Sequence, residues 1–128
     1  MENTKIFVTP RAKLQLELIV YNIANSSIQD YQGGLWHFCK EGNFWFLTDN
    51  SHVKVCNDNN YFEGEMTSRA TGIAFCMMAC SALSMDYFEK NPHLSEFWTD
   101  YYHFLREFIF NSENFSEDDR NKISRFLD

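Results

Sequence analysis

The sequence predicts an α+β fold, a small antiparallel β-meander packed with about four α-helices, one of them central and buried. Three observations carry this. First, the patterns run helix, short strands, then three helices, and segregation of strands from helices marks helices packed on an antiparallel sheet. Second, the stretch from Gly64 to Met85 is apolar on all sides, with no charge between Arg69 and Asp86. A helix of that kind must be enclosed by its own domain. Third, Leu94, Phe97, Trp98, Tyr101, Phe104, Leu105, Phe108 and Ile109 follow the i, i+3, i+4, i+7 spacing of a one-faced helix.

Met1 to Val8 reads as a lead-in. Thr9-Pro10 starts the first helix, with Thr as N-cap and Pro where its missing N–H is harmless. The helix is expected to reach about Asn25. Leu14, Leu18, Tyr21 and Ile23 are its expected inner face, and Arg11, Lys13 and Glu17 its outer one. Leu16, Ile19 and Val20 blur that pattern. Asp30 to Gly34 is a turn, because paired glycines supply backbone angles closed to other residues.

Four strand segments follow. Leu35 to Lys40 and Asn43 to Thr48 flank a Glu41-Gly42 hairpin turn, and both are apolar on two faces, as covered strands are. His52 to Cys56 comes after the polar turn Asp49-Asn50-Ser51 and alternates Val53 and Val55 with His52 and Lys54. A turn at Asn57 to Asn60 leads to a short segment, Tyr61 to Glu63. The buried helix is expected to be capped by Thr67 or Ser68. Asn91-Pro92 repeats the cap-plus-proline start for the helix ending near Phe110. Ser116 caps the last helix, with acids in its first turn and Arg120, Lys122 and Arg125 later, matching the helix dipole.

A chain of 128 residues suits one domain, 1–128, with a core that needs neither disulfides nor metal. An aromatic content of 17% excludes a disordered chain. The formal net charge of −7 speaks against direct nucleic-acid binding, which requires clustered Lys and Arg. It suits a basic partner instead. No signal peptide, membrane span or lipidation signal is visible, so a cytoplasmic location and free thiols are expected.

Chemistry-bearing constellations are sparse. Cys76 and Cys80 share a helix face at a spacing that can chelate, and Cys39, Cys56, His37 and His52 lie on strands. There is no C-x-x-C pair, and a free Cys among Met and Ala is commonly a small core hydrophobe. No nucleophile elbow, phosphate loop or zinc-protease motif occurs. No catalytic residue, cofactor or metal is therefore assigned. Of Trp36, Trp45 and Trp98, one exposed ring would suit a partner-binding anchor.

Two segments together resemble a known family. Asp30-Tyr31-Gln32-Gly33-Gly34-Leu35-Trp36-His37-Phe38 is similar to its D-Y-x-G-G-(aromatic)-W-x-(aromatic) signature, and Gly42-Asn43-Phe44-Trp45-Phe46 to its glycine-aromatic strand. Gly64-Glu65-Met66-Thr67 with Ala70-Thr71-Gly72-Ile73 resembles its helix entry, about thirty residues after the first motif. This is the antirestriction family of the ArdB and KlcA type, found on plasmids and other mobile elements. The resemblance runs from about Glu17 to Ile109. It implies a small cytoplasmic α+β protein that relieves type I restriction of incoming DNA without an enzymatic step. Its implied partner is a protein component of the restriction enzyme. An acidic mimic of DNA that inhibits a DNA-binding protein is the alternative. Leu35 stands where an aromatic is usual, Arg69 where an acid is frequent, and Ser81 where an Asn is frequent. Glu63, Glu65, Arg69 and Trp36 are the candidate partner-binding residues. Gly72 is read as allowing a strand to approach the central helix closely.

Overall fold

The computed structural model describes residues 8–29, 31, 33, 35–39, 43–47 and 52–128, and of Leu35, Trp45, Phe46 and Leu47 the backbone alone. The turns at Glu41-Gly42 and Asp49 to Ser51, most of Asp30 to Gly34, and the lead-in up to Phe7 lie outside the described residues. Helix α1 spans Pro10–Ser27. Thr9 caps it, its Oγ1 accepting the Ala12 N–H at 3.1 Å, with Pro10 in the first turn. Its buried face is Ala12, Leu16, Val20, Ala24 and Ser27. That overturns part of the sequence expectation, because Leu14 and Leu18 are each 56% exposed. Leu16 and Val20, which looked like noise in the pattern, form an i, i+4 ridge with Ala12 and Ala24. The two alanines let the helix sit close to its neighbour, and a ridge lined by Leu14 and Leu18 has no such small residues. Replacing Leu14 by Gln should therefore shift the unfolding free energy by no more than about 0.5 kcal/mol. Leu16→Ala should lower it by roughly 2–5 kcal/mol. Urea unfolding of the two variants measures the contrast.

The strands form two antiparallel hairpins. β1 (Leu35–Phe38) pairs with β2 (Phe44–Leu47), and β3 (His52–Asn57) with β4 (Phe62–Thr67). Gly33 leads into β1 at φ +90°, where any side chain would be strained although nothing crowds the site. α1 hands the chain to β3 through an Ile28–Val55 bridge and a hydrogen bond from Gln29 N to Lys54 O at 3.0 Å. β3 is as its alternation predicts, with Val53 and Val55 buried and His52 and Lys54 exposed. β4 is longer than expected. Gly64 to Thr67 belongs to this strand and not to the helix, because Phe62 and Met66 point into the core while Glu63 and Glu65 point out.

α2 (Ser68–Tyr87) is the central helix. Thr67 is its N-cap, its Oγ1 accepting the Ala70 N–H at 3.1 Å. From Ala70 to Met77 every residue is buried, Gly72 included. β2 rests directly on it, the Phe44 N–H donating to Cys76 Sγ at 3.1 Å. α3 (Pro92–Asn111), capped by Asn91, lies along α2 and buries Trp98, Tyr101, Leu105 and Ile109, with the Trp98 and Tyr101 rings stacked at 5.7 Å. Ser95 Oγ donates to Ser84 O at 2.8 Å, joining the two helices. α4 (Glu117–Leu127) opens on a reciprocal capping box between Ser116 and Asp119 and buries Ile123 and Phe126. The result is α+β: among the described residues, two hairpins and the other three helices gather on α2.

Candidate functional site

Three exposed charged residues, Lys54, Glu63 and Glu65, meet on the outer face of the β3–β4 hairpin. Register sets Lys54 opposite Glu65 and Cys56 opposite Glu63. All but the half-buried Cys56 are exposed. With Ser26 and Gln29 from the end of α1, these four side chains line an open groove of about 620 Å³. Two of the sequence candidates, Glu63 and Glu65, thus sit together on one strand face. Arg69 is exposed in the first turn of α2, beyond the Thr67 cap. Trp36 is elsewhere. It is half-buried, its Nε1–H donates to Tyr31 Oη at 3.1 Å, and its ring lies 6.1 Å from that of Phe75 and 6.5 Å from that of Tyr21. These contacts make it a packing residue between α1 and α2. Trp98 is wholly buried and is no anchor.

α4 fixes this face from behind. Lys122 Nζ donates to Glu65 O at 2.7 Å and also meets Asp118 at 3.1 Å. Thr67 Oγ1 lies 3.4 Å from Asp119 Oδ1. Asn57 Nδ2 donates to Phe126 O at 2.7 Å, and Asn60 Nδ2 donates to Arg125 O at 3.0 Å and to Phe126 O at 3.1 Å. The last carbonyls of α4 thereby gain the partners that a helix end lacks. These long-range ties have no sequence signature, since they join residues more than fifty positions apart.

Burial disfavours the thiolate at Cys56, Cys76 and Cys80. Burial pushes Cys76 up to about 12 against the weaker opposing pull of the Phe44 N–H, and burial raises Cys80 well above its usual value. Cys56 is raised by burial, then by Asp58 and Glu63. Protonated thiols are poor nucleophiles and poor ligands. Among the described residues no three His, Cys, Asp or Glu side chains converge as a metal site does. A second hollow, about 230 Å³, lies between α2, α3 and α4. Arg120 there donates to Ile109 O at 3.1 Å and to Ser112 O at 3.3 Å, closing the end of α3. Among the described residues no helix is long and apolar enough to cross a membrane.

Residues 29–123 match a family model described as antirestriction protein. KlcA of Escherichia coli, an antirestriction protein, is 28% identical over 102 residues, which are 77% of this chain and 70% of KlcA. YubI of Escherichia coli K12 is 32% identical over 62 residues, 47% of this chain; the match spans less than half of YubI, 44%. A solved structure reported for the KlcA and ArdB proteins superposes with a TM-score of 0.71 at 23% identity, covering 100% of both chains. Those proteins are described as having a novel fold and antirestriction activity against type I DNA restriction systems in vivo but not in vitro.

Proposed function

We propose that this chain, which belongs to the antirestriction protein family, relieves type I restriction of incoming mobile-element DNA by a non-enzymatic contact with a protein of the restriction system. The family match over 29–123 carries the reading. It spans both hairpins, α2 and α3 and enters α4, so the resemblance covers the packed unit and not one motif. The superposition adds that the fold matches that of KlcA and ArdB. Action on a restriction enzyme would place the protein in the host cytoplasm.

The outer hairpin face is the contact surface in this reading, with Glu63 and Glu65 on it and Arg69 at the neighbouring start of α2. Its signs are mixed. Lys54 stands opposite Glu65, and Lys122 reaches the β4 backbone beside it. Interleaved cations favour recognition of a shaped protein surface over imitation of a continuous phosphate array, which would need carboxylates without neighbouring bases. The Arg69 charge at a helix start is mildly unfavourable for the helix, and a role in contact gives it a purpose.

Activity in vivo but not in vitro, as described for KlcA and ArdB, makes the cell the right assay. Unmodified phage should plate better on a host with a type I system when this gene is expressed. Equal plating with and without the gene would sink the proposal. Reversing two charges together, Glu63→Lys with Glu65→Lys, should reduce the relief about tenfold or more while leaving the melting temperature near that of the wild type. Loss of folding in that variant would be seen directly in its circular dichroism.

A further inference from the structure

At the tip of the same hairpin stands Tyr61. Among the described residues it is the one non-glycine with positive φ, at 61°. Its side chain is 91% exposed. Among the described residues it makes no hydrogen bond, ion pair or ring contact. The left-handed conformation crowds any Cβ, and a bulky residue adopts it only when its surroundings force it.

The surroundings do force it. Asn57 Oδ1 accepts the Asn59 N–H and Asn60 Oδ1 accepts the Phe62 N–H, both at 3.0 Å. The side-chain amides of the same two asparagines grip the end of α4. The turn is thus held from within and from below, and the Tyr61 ring projects from a fixed base. Asn is the non-glycine residue best suited to left-handed backbone, and the turn carries it at 57, 59 and 60. The one position that needs that backbone carries Tyr. Folding explains neither the strain nor an aromatic ring left in water. Strain persisting where the fold gains nothing from it points to function, and Tyr is among the residues that dominate protein interfaces.

We infer that Tyr61 is the anchor by which this chain grips a protein partner, its ring entering an apolar pocket on that partner. The pocket has a basic rim, because the exposed carboxylates of Asp58 and Glu63 flank the anchor, while the Arg125 cation is drawn over the neighbouring Phe62 ring at 5.5 Å. A preordered aromatic loses little freedom on binding, which is where its affinity comes from. The inference rests on the proposed antirestriction reading and names the contact that reading leaves open.

Three variants test it in the plating assay, each with a melting curve. Tyr61→Asn and Tyr61→Gly relieve the backbone and remove the ring. They should melt at or above the wild-type temperature and lose restriction relief by about tenfold or more. Tyr61→Phe keeps ring and strain and should retain most of the relief. Full relief by Tyr61→Asn in a host where the wild type works overturns the anchor and leaves the antirestriction reading standing. A lower melting temperature for both Tyr61→Asn and Tyr61→Gly overturns it too, since the ring would then serve the fold. No relief by the wild type overturns the antirestriction reading, and the anchor with it.

Discussion

Replacing Phe75 by Ala should lower the unfolding free energy by about 3–5 kcal/mol. Phe75 is fully buried in the middle of α2. Its ring lies 6.1 Å from Trp36 of β1 and 5.4 Å from Phe126 of α4, and Phe126 meets Phe62 of β4 edge-on at 6.0 Å. Four rings therefore run from the first hairpin through the central helix and the last helix to the second hairpin. Removing the second of them opens a cavity between Trp36 of the first hairpin and Phe126 of α4. No neighbour can close it without shifting α2, which packs against every other helix and is held at its start by the Thr67 cap and at its end by the Asn91 N–H on Tyr87 O. A domain of this size has roughly 5–15 kcal/mol in total, so the variant would stand close to unfolding at ambient temperature. Phe75→Leu, which refills most of the volume, should lose much less. Urea titration of both reads the difference as a shift in midpoint at constant slope. A loss below about 1 kcal/mol for Phe75→Ala would show that the ring is not a core member.

The central position of α2 was legible because charge is absent from sixteen consecutive residues, and nothing but enclosure tolerates that. α3 and α4 were legible because their caps and their apolar spacing agree. The first helix is legible only in part. Its exposed Leu14 and Leu18 are as apolar as the buried Leu16 and Val20, so hydropathy alone has no means of choosing between two i, i+4 ridges. The alanines at 12 and 24 decide it, since only that ridge lets two backbones approach. Gly64 to Thr67 reads as a helix entry because it resembles that motif of the family. The alternation of Phe62 and Met66 inward with Glu63 and Glu65 outward was there, in a window of five residues shared with a turn. Of the candidate contacts, Glu63 and Glu65 were recognisable as charges beside a motif. Tyr61 was not, because its peculiarity is a backbone angle, and the Asn-rich turn before it hints only at a tight connection.

Stability should fall steeply once the pH rises above about 9, and three buried acids account for it. In the unfolded chain the thiols ionise near 9.0 and the phenol near 10.0; in the fold, burial pushes Cys76 up to about 12, raises Cys80 well above its usual value and raises Tyr101 as well. The three face one another across the α2–α3 contact, so ionising one makes the next harder to ionise. Below pH 9 the folded and unfolded chains hold these protons alike, and the contribution of the three groups is fully present. From pH 9 upward for the two thiols, and from pH 10 for the phenol, the unfolded chain releases protons that the fold retains, so each pH unit favours unfolding by roughly 1.4 kcal/mol per group. For Cys76 alone the loss between pH 9 and its folded value near 12 amounts to about 4 kcal/mol. The urea midpoint should be level from neutral pH to about 8.5 and then drop, with Tyr101 ionising only as the protein unfolds, visible as a jump in phenolate absorbance at the transition. Cys76→Ala and Cys80→Ala should each flatten the decline by about one proton's worth, although each lowers stability at pH 7 by leaving a small void. An unchanged alkaline slope in both variants would mean that the thiols reach water, and that α2 is not the enclosed helix its sequence and its contacts make it.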